Sequence, residues 1–244
     1  MTVEYSRDGD IASIELQRPD KRNALNTEMC RQILDGIERA PEDGVRVVVI
    51  SGVGSVFCAG ADLGGDRFAA DFIPTHTRML RAICAAPIPV IAALGGPAIG
   101  GGCQLALAAD LRIVVPEAYF EVPSTKIGIP VDPWTMRRAA ALGGGGIARG
   151  LLLGGQRITG EQAFACGLAN RLGDPAEGKL WAQSVAERAP LALRHAKAVL
   201  NDDASDREPT DRLRELADAA WASEDLREGY QAFREKRVPR FRGV

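Results

Sequence analysis

Two glycine-rich stretches, Phe57-Cys58-Ala59-Gly60-Ala61-Asp62-Leu63 and Gly95-Gly96-Pro97-Ala98-Ile99-Gly100-Gly101-Gly102-Cys103-Gln104, each follow a run rich in β-branched or small apolar residues. Glycine permits tight turns and close backbone approach. Strand, glycine-rich turn and then helix, met twice, read as an α/β arrangement with exposed main chain at strand ends. Two backbone segments of this kind can aim two amide N–H groups at one oxygen, which builds an oxyanion hole from main chain alone.

The rest of the chain fits that reading. Residues 11–16 alternate as a half-buried strand, and the Arg18-Pro19-Asp20-Lys21-Arg22 loop breaks it. Asn26 is placed to cap a helix that runs to about residue 40 and ends at Pro41 and Gly44. Residues 46–50 are continuously β-branched after Arg46, which calls for cover on both faces. A helix over 75–85, a strand over 90–94, a helix over 104–109 and a strand over 111–115 follow. Asp132-Pro133 starts a helix that should stop at Gly143 to Gly146, and Thr159-Gly160-Glu161-Gln162 has the capping-box form, with Gly167 as a stop. From about residue 180 the composition turns to Ala, Leu, Arg and Glu at helical spacing, broken near Pro190 and over 202–209. The expected division is a core over 1–180 and a helical region over 181–244.

With 244 residues and 46% hydrophobic content, the chain can bury a large core. A net charge of -2, with Lys and Arg dispersed, gives no footprint for nucleic acid, so an anionic ligand needs a local basic cluster. The N-terminal residues are polar and acidic, unlike a secretory signal, and the expectation is a cytoplasmic protein. The longest apolar stretch, 88–99, is interrupted by Pro89, Gly95, Gly96 and Pro97, too short for a bilayer span. Five cysteines without a C-x-x-C pair and two histidines argue against disulfides and a metal site. Gly52-Val53-Gly54 after a strand is a weak signal for a nucleotide-linked oxidoreductase, because Phe57 stands where that fingerprint has its third glycine.

As a set, these motifs make the chain resemble the crotonase family, also called the enoyl-CoA hydratase/isomerase superfamily. The matching residues are Leu16-Gln17-Arg18-Pro19 with Asn23-Ala24-Leu25-Asn26, both glycine-rich stretches, residues 89–110, Thr159 to Ala163 with Gly167-Leu168-Ala169, and Glu235 to Pro239. The resemblance implies a spiral of ββα repeats, with the C-terminal helices trimerising and covering the pocket, in a trimer or a dimer of trimers. It implies an acyl-CoA thioester whose carbonyl oxygen accepts from the amides of Ala61 and Gly101. It further implies that Arg18, Arg22, Ala59, Asp62, Leu63 and Lys236, or Arg237 of a neighbouring subunit, attend coenzyme A. No permanently bound cofactor is expected; coenzyme A enters as part of the ligand.

Two departures bear on activity. At the positions of the family's two catalytic glutamates stand Gln104 and Ser124. An amide cannot be a general base near neutral pH and an unactivated serine is little better. Asp132 stands where some isomerase and dehalogenase branches carry a catalytic aspartate, but helix capping competes for it. Glu121 is a second pocket candidate with solvent exposure as its alternative. Trp134, Phe68, Phe72 and Ile73 are either pocket wall or core. His76 and His195 show no spacing to a nucleophile or metal and receive no role. Two functions follow: a lyase or isomerase of fatty-acyl metabolism, poor as an ordinary hydratase, or a non-catalytic acyl-CoA carrier serving a lipid enzyme.

Overall fold

The computed structural model describes residues 2–63, 71–202 and 207–243. Its main sheet has strand order β1-β2-β3-β4-β6-β9. β1 (Val3–Asp8) and β2 (Ile11–Leu16) form an antiparallel hairpin, and β3 (Val47–Gly52), β4 (Val90–Leu94), β6 (Leu111–Val114) and β9 (Arg171–Leu172) extend it in parallel. The second sheet joins β5 (Ala98–Ile99), β7 (Tyr119–Glu121) and β8 (Ile158–Thr159). β1 escapes the sequence reading because it is an edge strand with mostly exposed side chains, and so carries no alternation.

The β-branched run of β3 is covered on both sides as its composition requires. Val48 and Ile50 join the core packed against α1 (Thr27–Glu42) and α2 (Ile73–Ala85). Val47 and Val49 pack with Ala182, Val185 and Ala186 of α6 (Pro175–Ala186) on the other face. α1 begins at Asn26, whose side chain accepts from the Met29 amide at 2.8 Å. Such a cap contributes about 1 kcal/mol. Pro41 does not end this helix; it lies in the last turn, where the backbone bond it forfeits is close to the frayed end.

The ββα succession is visible as β1-β2-α1, as β4-β5 followed by α3 (Gly101–Ala108), and as β6-β7 followed by α4 (Pro133–Leu152). One helix boundary corrects the sequence reading and another bears it out. α3 starts three residues earlier than expected, so Gly101 and Gly102 form its first turn. The helix opened at Asp132 breaks inside the expected 143–146 stretch, at Gly144, whose φ of 85° is not helical, and a second helical segment then carries α4 on to Leu152. The capping box forms at Thr159 and Gln162 and opens α5 (Gly160–Ala165). Pro190 starts α7 (Pro190–Asn201), and α8 (Asp211–Ala222) and α9 (Glu224–Glu235) complete the helical C-terminal region. Lys197 of α7 is buried, its Nζ donating to the carbonyls of Ile83 and Ile88 at 2.9 Å and pairing with Asp110 at 2.8 Å, so it clamps this region to α2 and β4. Among the described residues no helix is long and apolar enough to cross a membrane.

Candidate active site

The two glycine-rich segments meet. Cys58 bridges Ala98, and the Ile99 amide donates to the Cys58 carbonyl at 2.9 Å. On the other edge Leu25 bridges Ala61. The Leu25 amide donates to Gly60 O and the Asp62 amide donates to Leu25 O, both at 2.7 Å. In a parallel bridge the residue between those two bonds turns its own N–H to the opposite side, so the Ala61 amide faces away from Leu25. Gly60, at φ 96°, must be glycine twice over, because a side chain there would also start 2.7 Å from the Ile99 carbonyl. Gly101 is the first residue of α3, and a first-turn amide has no partner within its helix. A side chain at residue 101 would begin 3.5 Å from the Ala61 nitrogen and 3.3 Å from His76 Nε2.

A cleft of about 130 Å³ lies beside this point. α2 lines it with His76, Leu80 and Arg81, α3 with Gln104, the start of α4 with Asp132 and Trp134, and residues 207–209 close it. Asp132 caps α4: Oδ1 accepts from the Thr135 amide at 3.0 Å, and Oδ2 accepts from the Thr135 hydroxyl at 2.5 Å and from Gln104 Nε2 at 2.8 Å. Gln104 Nε2 also donates to Thr135 Oγ1 at 2.6 Å. The network therefore fixes the Gln104 amide as a donor and occupies both oxygens of the nearest carboxylate.

The other residues singled out from the sequence divide. Trp134 lines the cleft, and Phe72 is buried and stacks on His76 with ring centroids 5.1 Å apart. Ile73 opens α2 and packs against the core, while Phe68 lies outside the described residues. Ser124 is buried in the 3-10 turn after β7, with no hydrogen-bond partner for its hydroxyl among the described residues. Glu121 corrects its expectation, facing neither pocket nor solvent. Its buried carboxylate is held between Lys126 Nζ at 2.7 Å and Arg157 Nε at 2.9 Å. Burial alone would raise its pKa, but these two cations outweigh it and hold the group low. His195 is exposed.

Around the first glycine-rich segment the fold gathers five predicted ligand contacts. Arg18 pairs with Asp62 at 3.0 Å and donates to the Ala24 carbonyl at 2.7 Å. The Ala59 amide donates to the Arg22 carbonyl at 3.0 Å, leaving the Arg22 guanidinium exposed. Leu63, half-buried, ends the segment. Lys236 caps the C-terminus of α9 and, among the described residues, has no hydrogen bond or ion pair to this cluster. Arg237 is taken up by Glu228, at 2.6 and 2.8 Å, and by Glu235 at 2.5 Å, which argues against its use for phosphate. The Gly52-Val53-Gly54 turn lacks the helix a dinucleotide fingerprint needs. Residues 53–63 make turns and bridges, and Asn23 Nδ2 fills the turn by donating to the Val53 and Val56 carbonyls at 2.9 and 2.8 Å.

His76 is the residue that sequence reasoning missed. It is 5% exposed, and its Nε2 is buried without a hydrogen-bond partner among the described residues. Burial pushes its pKa down to about 4, against opposing pulls from the Gly101 backbone and the Asp132 carboxylate. The available signal was its place on the stripe 76, 79, 80, 83, where Met79, Leu80 and Ile83 are buried and a polar ring is out of character.

Comparison with known proteins gives a consistent answer. The family model described as enoyl-CoA hydratase/isomerase matches residues 6–244. A probable enoyl-CoA hydratase of Mycobacterium tuberculosis, echA6, is 46% identical over 234 residues, covering 96% of each chain. Among solved structures, an enoyl-CoA hydratase from Mycobacterium avium subsp. paratuberculosis is 30% identical with a TM-score of 0.83, covering 99% of both chains. A methylmalonyl-CoA decarboxylase superposes with a TM-score of 0.90 at 25% identity, covering 100% of this chain and 99% of its own.

Proposed function

The chain belongs to the enoyl-CoA hydratase/isomerase, or crotonase, family, and from that premise we propose that it binds acyl-CoA thioesters but hydrates enoyl-CoA poorly. The thioester oxygen lies between the amides of Ala61 and Gly101, at the start of α3, where two N–H groups and the positive end of the helix dipole favour developing negative charge. Arg18 and Arg22, with Ala59, Asp62 and Leu63, form the coenzyme A side of the site, with Lys236 contributed by a neighbouring copy. Arg18 serves it indirectly as well, by fixing the Asp62 loop.

The observation that carries the reading is the Gln104–Asp132–Thr135 network. Where a hydratase of this family activates water with a glutamate, this chain has an amide whose nitrogen is already spent on Asp132 and Thr135. A positioned acid or base contributes typically about 10² to 10⁴ in rate, so losing it at Gln104 and again at Ser124 leaves a binding site with little hydration chemistry. Because Asp132 spends both oxygens on these donors, the network also favours a second reading, a carrier that presents acyl-CoA to another lipid enzyme. Further parts of the proposal are a cytoplasmic trimer or dimer of trimers, a core over 1–180 and a helical region over 181–244 that covers the pocket. Sedimentation at the mass of a single chain would remove the oligomer.

Gly101→Ala tests the site. Its methyl group would meet His76 Nε2 at 3.3 Å and the Ala61 nitrogen at 3.5 Å, tight enough to fill the hollow yet compatible with folding. Calorimetric titration should show saturable binding of a medium-chain enoyl-CoA by the parent and markedly weaker binding by the variant, with free coenzyme A affected little. Equal enoyl-CoA affinity in both would place the thioester elsewhere.

A further inference from the structure

We propose that His76 is a third donor to the acyl carbonyl, its Nε2–H joining the amides of Ala61 and Gly101 around one oxygen; this rests on the acyl-CoA reading above. Residue 101 lacks a side chain, which leaves a hollow beside the Ala61 amide. The point where a side chain would start is 3.3 Å from His76 Nε2 and 3.5 Å from the Ala61 nitrogen, the two nearest atoms among the described residues outside the glycine's chain neighbours and its own helix. The Gly101 amide borders the same hollow by covalent geometry. Three nitrogens thus surround a space of atomic size, at the edge of a cleft that His76 also lines.

Within the chain the imidazole has the Phe72 stack and the nearby Gly101 backbone, neither of which satisfies Nε2 with good hydrogen-bond geometry. Buried polar atoms in folded proteins are nearly always hydrogen-bonded, yet Nε2 is buried and has no partner among the described residues. The fold nonetheless holds the ring in place. α2 carries it on its buried stripe, and Phe72 stacks on it at 5.1 Å with planes 19° apart. A carbonyl oxygen in the hollow would supply Nε2–H with a well-aligned acceptor, which no group among the described residues provides. With its pKa near 4, the ring is uncharged at neutral pH and acts as a fixed dipole, not as a proton source. Asp132 and Arg81, which share the cleft, then set the field around it. No proton leaves the ring, so this contact polarises the thioester in a catalyst and in a carrier alike.

The test is difference infrared spectroscopy of trans-2-hexenoyl-CoA carrying a 13C label at the thioester carbonyl. Binding to the parent should lower the carbonyl stretching frequency. His76→Leu should shrink that shift and weaken binding about fivefold to tenfold, the value of one hydrogen bond, while free coenzyme A binds as before. An unchanged shift and affinity would overturn the proposal. Should His76→Leu fail to fold, nitrogen NMR of a protein with histidine otherwise intact decides. The chain has only two histidines, so His195→Gln leaves one imidazole. Its Nε2 resonance should move with hexenoyl-CoA and stay put with free coenzyme A; indifference to both while hexenoyl-CoA binds would overturn the contact alone. If hexenoyl-CoA does not bind the parent at all, the acyl-CoA reading and the contact fall together.

Discussion

Gln104 is constrained to be an amide by what it touches. Its Nε2 donates to Asp132 at 2.8 Å and to Thr135 at 2.6 Å, and a carboxylate in its place would face the Asp132 carboxylate across the same gap. Like charges that close disfavour joint ionisation. Gln104→Glu should therefore lose about 1 to 3 kcal/mol of stability at pH 7, recover part of it at pH 5, and regain most when Asp132→Asn is added; urea melts of the three proteins at both pH values check this. Full stability of the single variant at pH 7 would show that the network is not cohesive. His76 gives a second pH effect. Its folded pKa, about 4, lies below the ordinary histidine value near 6.5. Between those values the unfolded chain binds a proton that the folded chain refuses, so stability is fullest above the upper value and falls as pH drops through the window. The loss is about 3 kcal/mol by pH 4, and it should be missing from His76→Leu when the two proteins are compared by chemical denaturation across that range. Motif spacing singled out Gln104 and Asp132, which the fold brings into one hydrogen-bonded network, and Ser124, which it buries outside the cleft lining. Glu121 was misread because its two cations arrive from other elements, Lys126 five residues on and Arg157 at the approach to β8.

Among the elements, α3 is the one that the site depends on. Its first turn is glycine because the chain runs against the other segment: a side chain at Gly102 would begin 2.3 Å from the Cys58 carbonyl, backbone on which nothing can give. Gly102→Ala should separate the two segments, and soluble protein, if any, should melt far below the parent. Gly146, on an exposed part of α4 with nothing within 4 Å of its missing side chain, should tolerate the same change with a gain of about 0.5 to 1 kcal/mol from helix propensity. Comparable melts for both variants would contradict the close packing at α3. The same residues explain which elements could be read in advance. β3 and β4 are continuous apolar runs, and α1 and α5 carry side-chain caps that act over three residues. The start of α3 at Gly101 and the renewed helix after the break at Gly144 were hidden because glycine signals a break locally and does not tell whether a helix begins on it or resumes beyond it.

At the scale of the whole molecule, one sheet is packed on both faces and the parallel strands deliver their connections to a common site. The helical C-terminal region completes the cleft through residues 207–209. Val199, Leu200, Leu216, Phe233 and Val238 are exposed on and after α7, α8 and α9. That architecture follows from the chain's alternating strand and helix signals, while the proposed weakness in hydration rests on single residues, so fold and activity must be judged separately. The most direct judgement is to mix trans-2-hexenoyl-CoA with excess protein at pH 7 and follow the absorbance of the conjugated thioester. The account predicts an immediate, saturable red shift as the carbonyl is polarised, followed by loss of the chromophore at least about 10² slower than a two-glutamate hydratase would achieve. Rapid loss of the chromophore, or no red shift at any concentration, would contradict it.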